Sequence, residues 1–123
     1  MRRSVLFPGT GGRTGPRRAG PGQVKRYTLS ELAKADLASI KAYLKVEAGI
    51  PATRRVLHDI SNAIERIGSM PGLGHVREDL TTLPVKFWQV RAYFVIYTPQ
   101  ARPIEIIRIL HASRDIPRLL APR

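Results

Sequence analysis

The sequence predicts an α+β fold: an open antiparallel sheet of about four strands with a two-helix antiparallel hairpin packed on one face, in the order β-α-α-β-β-β. Three observations predict it. Two consecutive stretches carry apolar residues at helical spacing. Three later runs are rich in β-prone residues joined by short connections. The chain of 123 residues is long enough for one compact core of modest size and too short for two.

The first boundary is compositional. Met1 to Gln23 holds Arg2, Arg3, Arg13, Arg17 and Arg18 among many Gly and Pro, with no acidic residue. Its apolar content is confined to Val5, Leu6 and Phe7, too little to offset the entropy of ordering, so residues 1–24 are expected to be a disordered basic tail. Residues 25–121 then form a single domain. The segment through Arg26 contains seven of the 21 Lys and Arg residues, and the remaining 14 face 9 Asp and Glu. The folded part is therefore only moderately basic, although the whole chain carries +12.

Lys25 to Leu29 reads as a short β-prone segment. Ser30 follows as an N-cap, its hydroxyl placed to accept a first-turn amide, with Glu31 at the positive end of the helix dipole. Ala33, Leu37, Ile40 and Leu44 then fall on one helical face, and Gly49 ends that helix. Pro51 opens a second helix where a missing amide hydrogen costs nothing. Val56, Ile60, Ile64 and Ile67 form its apolar stripe, and the run from Gly68 to Gly74 stops it. A link this short folds the two helices back on each other.

The strands are expected at Val85 to Val90, Tyr93 to Thr98 and Ile104 to Leu110, with Pro99, Gln100 and Pro103 marking the last connection. In the third run Ile104, Ile106, Arg108 and Leu110 alternate against Glu105, Ile107, Ile109 and His111. Both faces are apolar in part, which suits a central strand covered on both sides. Short connections favour antiparallel pairing. Asp115 is placed to begin a short C-terminal helix through Ile116, Leu119 and Leu120, with Pro117 in its first turn.

With no cysteine, the chain has no disulfide, thiolate nucleophile, thiolate-bound zinc or iron–sulfur cluster. No apolar run reaches the roughly 18–20 residues that span a bilayer, and the N-terminus lacks the continuous apolar stretch of a secretory signal, so a cytoplasmic protein is expected. His58, His75 and His111 are scattered, without the spacing of a zinc motif, and neither a metal nor a cofactor is expected. Phosphate-cradling glycine loops and serine-nucleophile motifs are absent from the sequence.

Metal-free nucleolysis needs a proton acceptor, cations for the phosphorane and an acid for the leaving oxygen. The late strands offer Lys86, Arg91, Arg108, His111 and Arg114. Each also has a structural reading. Arg91 suits a solvated strand end, Arg108 can pair with Glu105 or the Asp115 region, and His111 can be a hydrogen-bonded structural histidine. Arg77-Glu78-Asp79 reads as a loop with an internal salt bridge. Phe87, Trp88, Tyr93, Phe94 and Tyr97 are most simply core.

Tyr27-Thr28-Leu29-Ser30, followed by Ala33, Asp36-Leu37, Ile40 and Tyr43, resembles the first strand and helix of the RelE/ParE toxin superfamily. Gly74-His75-Val76-Arg77-Glu78-Asp79-Leu80, Phe87-Trp88, Tyr93 to Tyr97 and Ile104 to Asp115 resemble its ParE branch in collinear order. The resemblance implies a small cytoplasmic toxin held inactive by a cognate antitoxin encoded beside it. ParE-type members act on DNA gyrase, trapping it on cleaved DNA. RelE-type members cut mRNA on the ribosome with basic sheet residues and often a C-terminal Tyr or His. Here no tyrosine follows Tyr97, and the last strand is followed by Ala112-Ser113-Arg114-Asp115, a departure from the ribonuclease pattern. Arg91, Arg108 and Arg114 match basic positions of the superfamily. The resemblance implies target contacts for them in a gyrase toxin. In the ribonuclease alternative they would join Lys86 and His111 as catalytic candidates.

Overall fold

The computed structural model describes residues 26–121, so the expected tail at 1–24 lies outside the described residues. The elements among these residues are β1 (Tyr27–Leu29), α1 (Glu31–Glu47), α2 (Ile50–Ser69), β2 (Lys86–Val90), β3 (Tyr93–Thr98), β4 (Ile104–His111) and α3 (Ile116–Leu120), with a 3-10 turn at Pro71–Leu73. The α+β class, the four strands and the paired helices agree with the sequence reading.

The helix boundaries follow from the residues expected to set them. Ser30 Oγ accepts the Ala33 amide at 3.0 Å and donates to the Ile107 carbonyl at 2.8 Å, so one hydroxyl caps α1 and ties it to β4. Gly49 turns the chain with φ of 87°, a conformation that a side chain would strain, while its amide donates to the Leu44 carbonyl. Its carbonyl in turn accepts both the amide and the hydroxyl of the buried Thr53, which closes the first turn of α2.

Strand order in the sheet is β1-β4-β3-β2. The pairs β2/β3 and β3/β4 are antiparallel, as their short connections require. β1 corrects the expected all-antiparallel sheet, because it runs parallel to β4, with Tyr27 opposite Ile104 and Leu29 opposite Ile106. The sheet is mixed. The reason lies in the helical hairpin, which returns the chain to the end of the sheet where it started, so β2 sets out in the same direction as β1. Two antiparallel steps later β4 has that direction too.

A second correction concerns β4. Ile96 faces Arg108 and the next pair is Tyr97 with Ile106, so Ile107 has no partner and forms a β-bulge. One inserted residue reverses the alternation beyond it. Ile104, Ile106 and Ile109 therefore join Ala33, Leu37, Ile40, Ile60, Ile64 and Ile67 in the core beneath the helices. Leu110 instead lies on the opposite face with Val85, Phe87, Ile96, Ile116 and Leu120, and Ile107 packs against that cluster. Both faces of β4 are covered, the second by α3. Full burial of each such aliphatic side chain is worth about 1.5–3 kcal/mol.

At the β1 end, the Tyr27 phenol is pushed up to about 12 by burial first, then by the charge of Glu65 on α2 and its hydrogen bond. Below the ordinary tyrosine value of 10.0 both the folded and the unfolded chain keep this proton, and the contribution is fully present. Above it the unfolded chain releases the proton while the folded chain holds it. Stability is thus lost as pH rises from about 10 through about 12. Urea midpoints across that window are expected to fall less steeply in Tyr27→Phe than in the parent. Equal slopes would contradict this assignment.

Candidate functional site

The tight turn between β2 and β3 has only two residues, Arg91 and Ala92, closed by the pairing of Val90 with Tyr93. Arg91 adopts φ of 56°, the left-handed region that a bulky side chain occupies only against a steric preference. Its Nε donates to Asp59 Oδ2 on α2 at 2.7 Å, with both side chains substantially exposed. Exposed pairs of this kind contribute about 0–1 kcal/mol, so the guanidinium is held in place but remains open to a partner.

Pairing of Tyr93 with His111 and the 2.7 Å bond from the Ala112 amide to the Ala92 carbonyl bring the end of β4 beside this turn. The chain then reverses as the Arg114 amide donates to the His111 carbonyl at 2.9 Å. Arg91, His111 and Arg114 thereby share one end of the sheet. Arg114 is exposed, and no ion pair engages it among the described residues. The expected cap is present, with Asp115 accepting the Arg118 amide at the start of α3. Arg114 and its neighbour Asp115 form no ion pair with each other.

His111 packs edge-to-face on Tyr93, with ring centroids 5.2 Å apart. Its Nδ1 accepts the Ser113 amide at 3.0 Å and lies 2.7 Å from Ser113 Oγ. Since an amide can only donate, Nδ1 is an acceptor and the neutral ring carries its proton on Nε2. With Nδ1 engaged in this way, the other ring nitrogen of the neutral side chain is a donor, not a base.

The remaining two candidates lie elsewhere. Lys86 starts β2 at the opposite end of the sheet, where its Nζ reaches the Gly74 carbonyl at 3.4 Å. Arg108 is turned toward α1 and bound by both oxygens of Asp36, at 2.8 and 2.9 Å, which raises its already high pKa through hydrogen bonding to that carboxylate. Asp36 Oδ2 also accepts the Ile109 amide at 2.9 Å. β1 ends opposite Ile106, so the carboxylate supplies the acceptor that a longer edge strand would have supplied. The partner of Arg108 is neither Glu105 nor Asp115.

One aromatic at this end is not legible as a site residue in the sequence. Tyr43 of α1 is exposed and lies close to Tyr93, whose hydroxyl is raised first by burial and then by Tyr43. Only the packing of α1 across the sheet brings Tyr43 there. The loop pair expected at Arg77 is present, with two bonds to Asp79, and the Arg77 guanidinium stands 5.7 Å from the Phe94 ring centre. His75 stacks on Trp88. Among the described residues no three His, Asp or Glu side chains cluster as metal ligands, and no helix is long and apolar enough to cross a membrane.

This end of the sheet can present two guanidinium groups, one imidazole N–H donor and the exposed Tyr43 ring to an acidic or phosphate-bearing surface. A family model described as ParE toxin of type II toxin-antitoxin system, parDE, matches residues 27–116. Toxin ParE1 of Caulobacter vibrioides is 33% identical over 92 residues, which span 75% of this chain and 94% of that protein. A solved structure described as the chromosomal ParDE TA system from P. aeruginosa superposes with a TM-score of 0.59 at 19% identity. It covers 69% of this chain and 92% of its own, a likeness of fold.

Proposed function

We propose, from the premise that this chain belongs to the ParE toxin family of type II toxin–antitoxin systems, that it arrests growth in the cytoplasm by binding DNA gyrase and is neutralised by a cognate antitoxin. The observation that carries the choice of target is the dispersal of the acid–base candidates. Lys86 stands at the far end of the sheet, Arg108 is committed to Asp36, and Nδ1 of His111 is occupied by Ser113. What remains together is a cationic and aromatic contact surface, Arg91, His111 and Arg114, suited to recognition more than to proton transfer. The ribosome-dependent endoribonuclease reading would require these separated groups to converge on one phosphate.

The direct test is supercoiling and cleavage-complex formation by gyrase in the presence of the purified chain. Supercoiling is expected to fall and cleaved DNA to accumulate. Normal gyrase activity together with cut mRNA in induced cells would replace this reading with the ribonuclease one. The contact surface is tested by Arg91→Gly combined with Arg114→Ala. Glycine accepts the φ of 56° without strain, and Arg114 has no ion pair to lose among the described residues, so the fold is expected to persist. Gyrase inhibition is expected to weaken about 10- to 100-fold, most at low salt, as charge removal at a contact rim predicts. An unchanged inhibition constant would remove both residues from the target surface.

A further inference from the structure

The outer face of α2 carries cations that the fold leaves unpaired. Arg54, Arg55, His58, Asn62 and Arg66 follow one another along the helix and are all exposed. Arg26 joins them at the C-terminal end, where its Nη1 donates to Ser69 Oγ at 3.2 Å. The helix also bears two carboxylates, and both are engaged. Asp59 binds Arg91 at 2.7 Å on one flank, and Glu65, exposed on the same face, accepts the Tyr27 hydroxyl of β1. None of the four arginines has an ion pair among the described residues. A lone exposed arginine is ordinary, but several gathered along one helix whose carboxylates are held elsewhere make a positive ridge that attracts a polyanion.

The spacing along the ridge indicates which polyanion. Arg54 and Arg55 stand near its N-terminal end, Arg66 and Arg26 at its C-terminal end, and His58 and Asn62 lie between them. At ~1.5 Å per residue, Arg55 and Arg66 are roughly 17 Å apart along the axis. Two positive ends with a polar middle match the two phosphate backbones that border the major groove of B-form DNA, which is about 12 Å wide and admits an α-helix. The major groove of duplex RNA is deep and too narrow for that fit. The row holds no large apolar side chain of the kind that anchors a protein interface. The chain before Tyr27 adds to the attraction. Residues 1–26 hold seven of the 21 Lys and Arg and no acidic residue, and they join the fold at Arg26, beside the end of this helix.

We propose that the outer face of α2 binds duplex DNA, with Arg54 and Arg55 on the phosphates of one strand and Arg66 and Arg26 on those of the other. Such contacts are independent of base sequence. The face adjoins the Arg91, His111 and Arg114 surface through the pair of Asp59 and Arg91. A gyrase caught on cleaved DNA offers protein and DNA side by side, so the toxin reaches both from neighbouring surfaces. That joint engagement rests on the gyrase reading above, whereas DNA contact by the face stands apart from it.

The test is fluorescence anisotropy of a short labelled DNA duplex of mixed sequence, titrated with the full chain at several salt concentrations and without gyrase. Arg54→Gln/Arg55→Gln/Arg66→Gln keeps good helix formers and breaks no ion pair among the described residues, so its circular dichroism is expected to match the parent's. It is expected to bind the duplex about 10- to 100-fold more weakly at low salt. The slope of log affinity against log salt is expected to fall by about 2–3, since each neutralised phosphate contributes ~0.9. Lys34→Gln/Lys41→Gln/Lys45→Gln removes the same charge from α1 and is expected to stay within about threefold of the parent. Equal losses in the two triple variants would show that affinity reports net charge alone, which overturns the face. An unchanged salt slope in the arginine variant, or an equal loss by it on duplex RNA, overturns it too. Binding of polyglutamate but not of DNA by the parent assigns the ridge to an acidic protein, with the same result. Arginine-dependent DNA binding by a toxin that leaves gyrase unaffected supports the face and overturns the reading of the target. Where gyrase is inhibited, the arginine variant is expected to need about tenfold more protein for equal cleaved DNA, and an unchanged requirement overturns the joint engagement.

Discussion

Asp36→Ala is expected to destabilise the protein by about 3–5 kcal/mol, the range for stranding one member of a buried ion pair. The Asp36 and Arg108 side chains are only 12% and 15% exposed, so water reaches little of either group. Removing the carboxylate leaves the guanidinium without its two bonds and the Ile109 amide without an acceptor at the open edge of β4. Asp36→Asn keeps one acceptor but no charge and is expected to lose less. Asp36→Ala combined with Arg108→Met is expected to recover much of the loss, because an apolar side chain needs no partner there. Urea unfolding of the four proteins measures the coupling. A single-variant loss below about 1 kcal/mol would mean that the pair is open to water as surface pairs are.

Gly74→Ala is the other large effect, expected at about 2–4 kcal/mol from steric overlap together with disrupted hydrogen bonds. A Cβ on Gly74 would stand 2.5 Å from Tyr97 Oη, 2.8 Å from its Cε1 and 3.0 Å from the Phe87 carbonyl. Tyr97 cannot swing aside. Its ring is fully buried, and its hydroxyl accepts the Gly74 amide at 2.8 Å while donating to the Pro71 carbonyl at 2.7 Å. This one phenol holds the loop after α2 against the sheet, which sets His75 in register with Phe87 on the edge of β2. Tyr97→Phe alone leaves a donor and an acceptor unmatched and is expected to cost about 1–3 kcal/mol. In the double variant Gly74→Ala/Tyr97→Phe the closest contact disappears, so the two losses are expected to sum to less than their separate values. Thermal unfolding of the set tests this. Full additivity would show that the methyl group and the hydroxyl do not meet.

The candidate site is legible in the sequence only in part. Arg91 and Arg114 are readable as exposed cations because each lies next to a chain reversal, and Asp115 is readable as a cap from its place before Ile116 and Pro117. Arg108 is not readable in this way, for a physical reason. Local pairing points to Glu105 and Asp115, whereas the carboxylate that binds it is 72 residues away on α1. A hint does exist, since Asp36 borders the buried stripe of that helix next to Leu37. Tyr43 offers none, because the buried stripe passes it by and its neighbours belong to another part of the chain.

Periodicity and caps report the conformation of a few adjacent residues, and that is what the sequence by itself determined: Ser30, Gly49, Pro51 and Asp115 delimit helices, and the three late β-prone runs are strands. The direction of β1, the bulge at Ile107, the bond between Asp36 and Arg108 and the approach of Tyr43 to Tyr93 were decided only by the tertiary structure. Each depends on segments brought together by burial of a common core. The energy of such contacts is a property of the pair, and neither partner's local sequence carries it alone.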